Sequence, residues 1–181
     1  MRQSASVPDR PAYVGIIGPG DPAEGAPGDL APGDLETAAQ VGRLLAAHGA
    51  VLVCGGLGGV MRAACRGARG HDPAGVTVGL LPGRRHGEGN EFLSVEIPTG
   101  LGELRNGLVV GAAEAVIAVG GSWGTLSEIS LAMRTGKPVV QIGGWTLAPV
   151  PAGPAPRRAA DAADAVAAAL AAVRESRRRS A

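Results

Sequence analysis

Aromatic side chains are nearly missing from this chain. Phe, Trp and Tyr make up 2% of 181 residues while 45% are apolar, so a core has to be built from Ala, Val, Leu and Ile. Lysine is almost absent too: Lys137 stands alone beside 16 arginines, which reads as the coding bias of a GC-rich genome and not as a functional signal. No apolar run reaches the ~20 residues that span a bilayer. The opening "MRQSASVPDR" has no apolar segment of the kind a secretory signal needs. The expectation is a cytoplasmic protein with no membrane partner. Cys54 and Cys65 form neither a disulfide framework nor a CxxC pair, and read as small packed apolar groups. His48, His71 and His86 fall on separate elements, so no metal site and no resident cofactor are expected. A net charge of +1 supplies no field to draw in nucleic acid, and the one basic run, Arg177–Arg179, reads as a solvated tail.

What the chain has in quantity is glycine, 30 residues, with 14 prolines. Its length fits one domain. After a loose leader over 1–11, "YVGIIG" (Tyr13–Gly18) is a short apolar run closed by glycine, the mark of a buried strand. Prolines and glycines then forbid regular structure up to Asp34, a plausible N-cap for a helix over "DLETAAQVGRLLAAHG" with Gly49 as its stop. Further strands are read at "AVLVC", "VTVGLLPG", "AVIAVGG" and "PVVQIGG". Helices are read at "GGVMRAACRGARG", "TGLGELRNGLVVGAAE" and "GTLSEISLAMRTG". A Pro-rich linker follows over 146–158, then an Ala-rich helix and basic tail over 159–181. Strands that are continuous apolar runs, alternating with helices, belong to a parallel sheet covered on both faces. The expectation is a single α/β domain over 12–145, a doubly wound Rossmann-like parallel sheet flanked by helices, with ligands at the carboxyl ends of the strands.

Every glycine cluster falls at such a strand end. Gly18-Pro19-Gly20-Asp21-Pro22-Ala23 fits G-x-G-x-x-[GA], but Pro22 and Pro27 delay the helix that should meet a pyrophosphate. Asp21 also puts negative charge where phosphate would go. A turn that lets a ligand approach Gly18 and Gly20 remains open. Gly55-Gly56-Leu57-Gly58-Gly59-Val60-Met61 follows a strand and opens a helix, which suits an anion reaching backbone amides; close helix–strand packing would need fewer glycines. Gly120, Gly121, Ser122, Gly124 and Thr125 make a second such turn. Two anion-friendly turns suggest one phosphorylated ligand across the sheet edge, held by amides of Gly58, Gly59, Gly121 and Gly124 with the Thr125 hydroxyl. Glu128 lies three residues beyond Thr125 on the same helical face. It is either a helix-capping carboxylate or a general acid/base and sugar-hydroxyl acceptor. Arg105, set on an otherwise apolar helix with Leu104, Leu108, Val109 and Val110, is its natural partner.

Together "CGGLGGVMRAACRGA", "TVGLLPG", "TGLGELRN" and "VGGSWGTLSEISLAMRTGKPVV" resemble the LOG-like Rossmann superfamily, which includes the cytokinin-activating phosphoribohydrolases. The resemblance implies a homodimer that binds a nucleoside monophosphate and cleaves its N-glycosidic bond to give a base and ribose 5-phosphate. It also implies catalytic roles for Arg105 and Glu128 and ligand contacts at Gly55 to Met61, Asn106 and Gly120 to Thr125. The chain departs from the family pattern at Val119 (for Pro), Arg62 (for Gly), Ser127 (for a second acid) and Asn106 (for Lys after the arginine). Those departures are similar to a branch of small bacterial proteins related to molybdenum-cofactor carriers, which bind a phosphorylated pterin and do no chemistry. Two functions are therefore expected to compete: a nucleoside 5'-monophosphate phosphoribohydrolase, and a non-catalytic carrier of a phosphorylated pterin or nucleotide.

Overall fold

The computed structural model describes residues 10–21, 29–146 and 155–180. It is α/β, with seven strands in one sheet: β1 (Tyr13–Ile17), β2 (Val51–Cys54), β3 (Thr77–Leu81), β4 (Val95–Pro98), β5 (Ala115–Val119), β6 (Val139–Ile142) and β7 (Arg157–Arg158). The helices are α1 (Asp34–Ala47), α2 (Gly59–His71), α3 (Asn106–Ala112), α4 (Trp123–Arg134) and α5 (Ala162–Ser180), with a short 3-10 turn at Gly102–Arg105. The sheet order is β4-β3-β2-β1-β5-β6-β7 and every pairing is parallel. Gly15 faces Val53 on one side and Val116 on the other. The chain thus winds outward from β1 through β4, then returns to the far side of β1 to lay down β5. The order reverses between β1 and β5, and a crevice opens there at the strand carboxyl ends.

The central strands are buried on both faces, which is why β2 and β5 read as unbroken apolar runs. One core layer packs Val14 and Ile16 of β1 and Ile117 of β5 under α1, α2 and α5, with Val41, Ala64 and Val166 among the buried contacts. The other packs Ile17, Val53 and Val116 under α3 and α4 through Val109, Val110 and Ile129. With so few aromatics, small residues let the helices approach closely. A Cβ on Gly42 would lie 1.9 Å from the Ala64 carbonyl oxygen, and one on Gly67 1.9 Å from that of Ala39, so α1 and α2 cross backbone to backbone.

Local structure departs from the sequence reading at several points. Asp34 is the first residue of α1, not its cap. Gly33 precedes it at φ 88° with no side-chain cap, and the Asp34 carboxylate turns back to accept from the Ala31 amide at 2.9 Å. The helix expected over 99–114 is a 3-10 turn followed by a short helix, because Gly100 and Gly102 both take positive φ and cannot sustain α-helix cheaply. β4 was not counted because, as an edge strand, it alternates exposed and half-buried residues. The linker read over 146–158 lies mostly outside the described residues, as does the leader; its last two residues, Arg157 and Arg158, pair with Val140 and Gln141 as β7. The "tail" Arg177 is a fastener. It donates to both Glu114 oxygens and to the carbonyls of Arg10 and Pro11. Burial pushes the Glu114 carboxyl up, but Arg177, the Tyr13 amide and Arg10 outweigh it and hold it below the usual carboxylate range. Lys137, the lone lysine, donates to the Gly111 and Ala113 carbonyls and so closes the end of α3.

Candidate functional site

The β1–β5 crevice holds a cleft of about 230 Å³. Its back is the tip of β1, where Gly18 and Gly20 face it. Glycine is required at position 18, since a Cβ there would lie 2.5 Å from the Val119 carbonyl oxygen and 2.6 Å from Val60. Met61 comes from α2, and Arg105 and Asn106 from the junction of the 3-10 turn with α3. Ser122, Gly124, Thr125 and Glu128 come from the start of α4. Nine of the residues singled out in the sequence therefore meet here.

At α4 the geometry suits an anion. Ser122 caps the helix. Its Oγ accepts from the Thr125 amide at 3.2 Å and shares a hydrogen bond with Thr125 Oγ1 at 2.9 Å. The amides of Trp123 and Gly124 in the first turn carry no hydrogen bond among the described residues, and the helix dipole favours negative charge at this end.

The turn at α2 is different. The Gly59 amide donates to Asp21 Oδ1 at 2.9 Å and the Val60 amide to the Pro19 carbonyl at 2.9 Å. A Cβ on Gly58 would sit 1.8 Å from Asp21 Oδ2. Both glycines thus serve the approach of the β1 loop, whose own carboxylate occupies the position read from the sequence as a phosphate site. Gly56, at φ 77°, packs toward Leu81. Gly120, at φ 67°, packs against Asp34 and donates its amide to Ile142. Gly121 lies beside Gly144 and Trp145. Arg62 turns outward, its NH2 2.5 Å from Glu91 Oε1.

The charged centre is Arg105 with Glu128, 8% and 6% exposed. The Arg105 guanidinium lies flat on the backbone of Gly55: a Cβ there would fall 2.3–2.4 Å from NH1, Cζ and NH2, so Gly55 is the floor on which the arginine rests. Arg105 NH1 donates to Asn106 Oδ1 at 2.9 Å and stands 3.8 Å from Glu128 Oε1. Its Nε is buried and unpartnered among the described residues. Burial pushes the Glu128 carboxyl up to about 7, against the attraction of Arg105; burial also lowers the arginine, against the attraction of Glu128. Such a pair can hold a phosphate or sugar hydroxyl and exchange a proton near neutrality.

Two supporting residues, Asn90 and Glu103, escaped the sequence reading. Asn90 donates to the Gly56 and Leu57 carbonyls at 3.2 and 3.1 Å and holds the turn beside Gly55 from the loop between β3 and β4; nothing in "GEGNEF" signals that contact. Glu103 lines the mouth. Cys54 and Cys65, both fully buried, touch Sγ to Sγ at 3.7 Å beneath the floor. Trp123 is 78% exposed and meets Trp145 edge to face with ring centroids 5.0 Å apart. Among the described residues no group of three or more His, Cys, Asp and Glu side chains could hold a metal ion, and no helix is long and apolar enough to cross a membrane.

Residues 11–171 match the model of the SLOG cluster4 family. A protein of Archaeoglobus fulgidus is 39% identical over 129 residues, 71% of this chain and 78% of that one. Among solved structures, the molybdenum cofactor binding protein of the phototrophic bacterium Rippkaea orientalis is 38% identical, with a TM-score of 0.66 over 74% of this chain and 77% of its own. The molybdenum cofactor carrier protein of Chlamydomonas reinhardtii is 31% identical, with a TM-score of 0.75 over 91% of this chain and 99% of its own.

Proposed function

From the premise that this chain belongs to the SLOG cluster4 family, we propose that it binds a phosphorylated pterin of the molybdenum-cofactor type in the β1–β5 cleft and carries it without chemical change. The observation that carries this reading is the meeting, in one cleft, of the open α4 terminus with the buried Arg105. The phosphate takes the Trp123 and Gly124 amides and the Ser122 and Thr125 hydroxyls. Arg105, whose buried Nε has no partner among the described residues, lines the same cleft. The names of the two solved relatives supply the ligand class, and the four departures from the phosphoribohydrolase pattern agree with it.

The buried Arg105–Glu128 pair favours a second reading, cleavage of a nucleoside 5'-monophosphate. Arg105 would hold phosphate or ribose, while Glu128 would face the sugar carbon as its positive charge grows or deprotonate the attacking water. The products would be base and ribose 5-phosphate. A carboxyl pushed up to about 7 by burial would suit the proton transfer of that reading, so the distinction rests on product release. Incubation with a panel of purine and cytokinin-type monophosphates separates the two: the carrier yields no ribose 5-phosphate, and steady release from any one of them establishes the hydrolase instead.

The functional unit is a homodimer in this proposal. Leu101, Leu104 and Leu108 are 46%, 81% and 43% exposed on the 3-10 turn and α3, beside the cleft, and a second copy covers them. Light scattering should then give about twice the 17.9 kDa chain mass; a clean monomer would count against it.

A further inference from the structure

We propose that Asn106 is a positioning residue that draws the Arg105 guanidinium away from Glu128 and thereby decides whether that carboxyl is protonated. Two acceptors compete for one nitrogen. Arg105 NH1 is 2.9 Å from Asn106 Oδ1 and 3.8 Å from Glu128 Oε1, so the hydrogen bond goes to the amide and Glu128 keeps only a longer-range attraction. The carboxamide is held in that pose from its other end. Asn106 Nδ2 donates to Ser127 Oγ at 3.4 Å, and Ser127 Oγ donates to the Gly124 carbonyl at 2.7 Å. A guanidinium has no acceptor, so Oδ1 is the atom that must face it. Both ends of Asn106 are thus used within the protein, and the residue read from the sequence as a ligand contact acts through Arg105.

The surroundings of Glu128 make this competition decisive. Arg105 on the 3-10 turn is the cation that faces it, and Cys54 at the end of β2 is within electrostatic reach. Glu103, also on the 3-10 turn, lines the mouth and acts on Arg105. From β1, the loop after it and α2 the cleft takes Ile17, Gly18, Gly20 and Met61, none of them titratable; Arg62 is spent on Glu91. Its neighbours on α4, Thr125 and Ser127, do not titrate in this range. Burial, only partly offset by an arginine that stands 3.8 Å away without hydrogen-bonding the carboxylate, pushes the carboxyl up to about 7. Asn106 and Ser127 stand where the phosphoribohydrolase pattern has a lysine and an acid. Here the two positions form a neutral relay that keeps Glu128 a hydrogen-bond donor for part of the time.

The bearing of this on ligand binding rests on the reading of the cleft given above, but its test needs no ligand. Glutamate carboxyl carbons are labelled with ¹³C, and the Glu128 resonance, assigned by its loss in Glu128→Gln, is followed against pH. In wild type the midpoint falls near 7. In Asn106→Ala, NH1 is released to Glu128 and the midpoint drops by about one to two pH units. Ser127→Ala, which only frees the carboxamide, moves it the same way by less. Asn106→Asp keeps the acceptor and leaves the midpoint at or above the wild-type value. A midpoint unchanged in both Asn106→Ala and Ser127→Ala overturns the proposal, and so does a fall in Asn106→Asp equal to that in Asn106→Ala. Neither result touches the question of whether the cleft carries a pterin.

Discussion

Replacing Gly55 by alanine should empty the arginine side of the cleft while leaving the fold in place. The added Cβ would fall 2.3–2.4 Å from three guanidinium atoms of Arg105, whereas ordinary contact begins at 3.4 Å. The guanidinium must therefore retreat by about 1 Å. It then leaves the pose in which NH1 bonds Asn106 at 2.9 Å, and a ligand oxygen placed to meet the guanidinium over Gly55 loses its partner. Losing one hydrogen bond to a charged group costs about 1.5–3 kcal/mol, or roughly 10- to 100-fold in affinity. Gly55 has no positive φ, so alanine brings no backbone strain, and a melting shift of only a few degrees is expected. Gly56→Ala is the control. At φ 77° and 2.5 Å from Leu81 Cδ2, it should lower stability by about 1–2 kcal/mol or more from backbone strain alone. Calorimetric titration with a phosphorylated pterin, alongside thermal melts, reads both quantities. An unchanged affinity in a folded Gly55→Ala protein would mean that Arg105 does not hold the ligand.

Three further outcomes follow from the same geometry. Glu128 ionises near 4.5 when unfolded but near 7 when folded, so wild type is favoured below pH 4.5 and loses up to about 3 kcal/mol as pH rises from there to 7. Glu128→Gln lacks that slope and should melt higher than wild type at pH 8; parallel melting curves across pH 4–8 would remove the assigned titration. Glu114→Ala unfastens Arg177 and the Tyr13 amide, which should cost about 1–3 kcal/mol and speed hydrogen exchange in residues 10–13 and the last turns of α5; exchange unchanged there would contradict the fastener. Gly42→Ala pushes its Cβ into the Ala64 carbonyl and should destabilise by about 3 kcal/mol or more. A near-wild-type melting temperature would show that α1 and α2 can separate freely.

The sheet was legible because its central strands are buried on both faces and therefore carry no alternation, as in "VLVC" and "AVIAV". Its edges were not: β4 is half exposed and β7 is two arginines, and neither carries an apolar signal. The residues named for their chemistry, Ser122, Thr125, Arg105 and Glu128, line one cleft. Gly58 and Gly59 lie against Asp21 and the β1 loop, and glycines placed to admit a ligand look in a sequence like glycines placed to admit a neighbouring loop. Asp21 carried the clue, a negative charge where phosphate was expected, but only the fold shows that the charge is the protein's own cap on α2. Contacts such as that of Asn90 with Gly56 span 34 positions and leave no local trace.

Trp123 stands on the α4 turn whose amides are assigned to the phosphate, so its emission can report on the central claim directly. Wild-type protein is titrated with a phosphorylated pterin and, separately, with the same pterin dephosphorylated. The account predicts a saturable fluorescence change at one ligand per chain, affinity at least tenfold weaker without the phosphate, and a comparable loss in Arg105→Ala. Equal affinity for the two pterins, or no saturable binding of either, would contradict it.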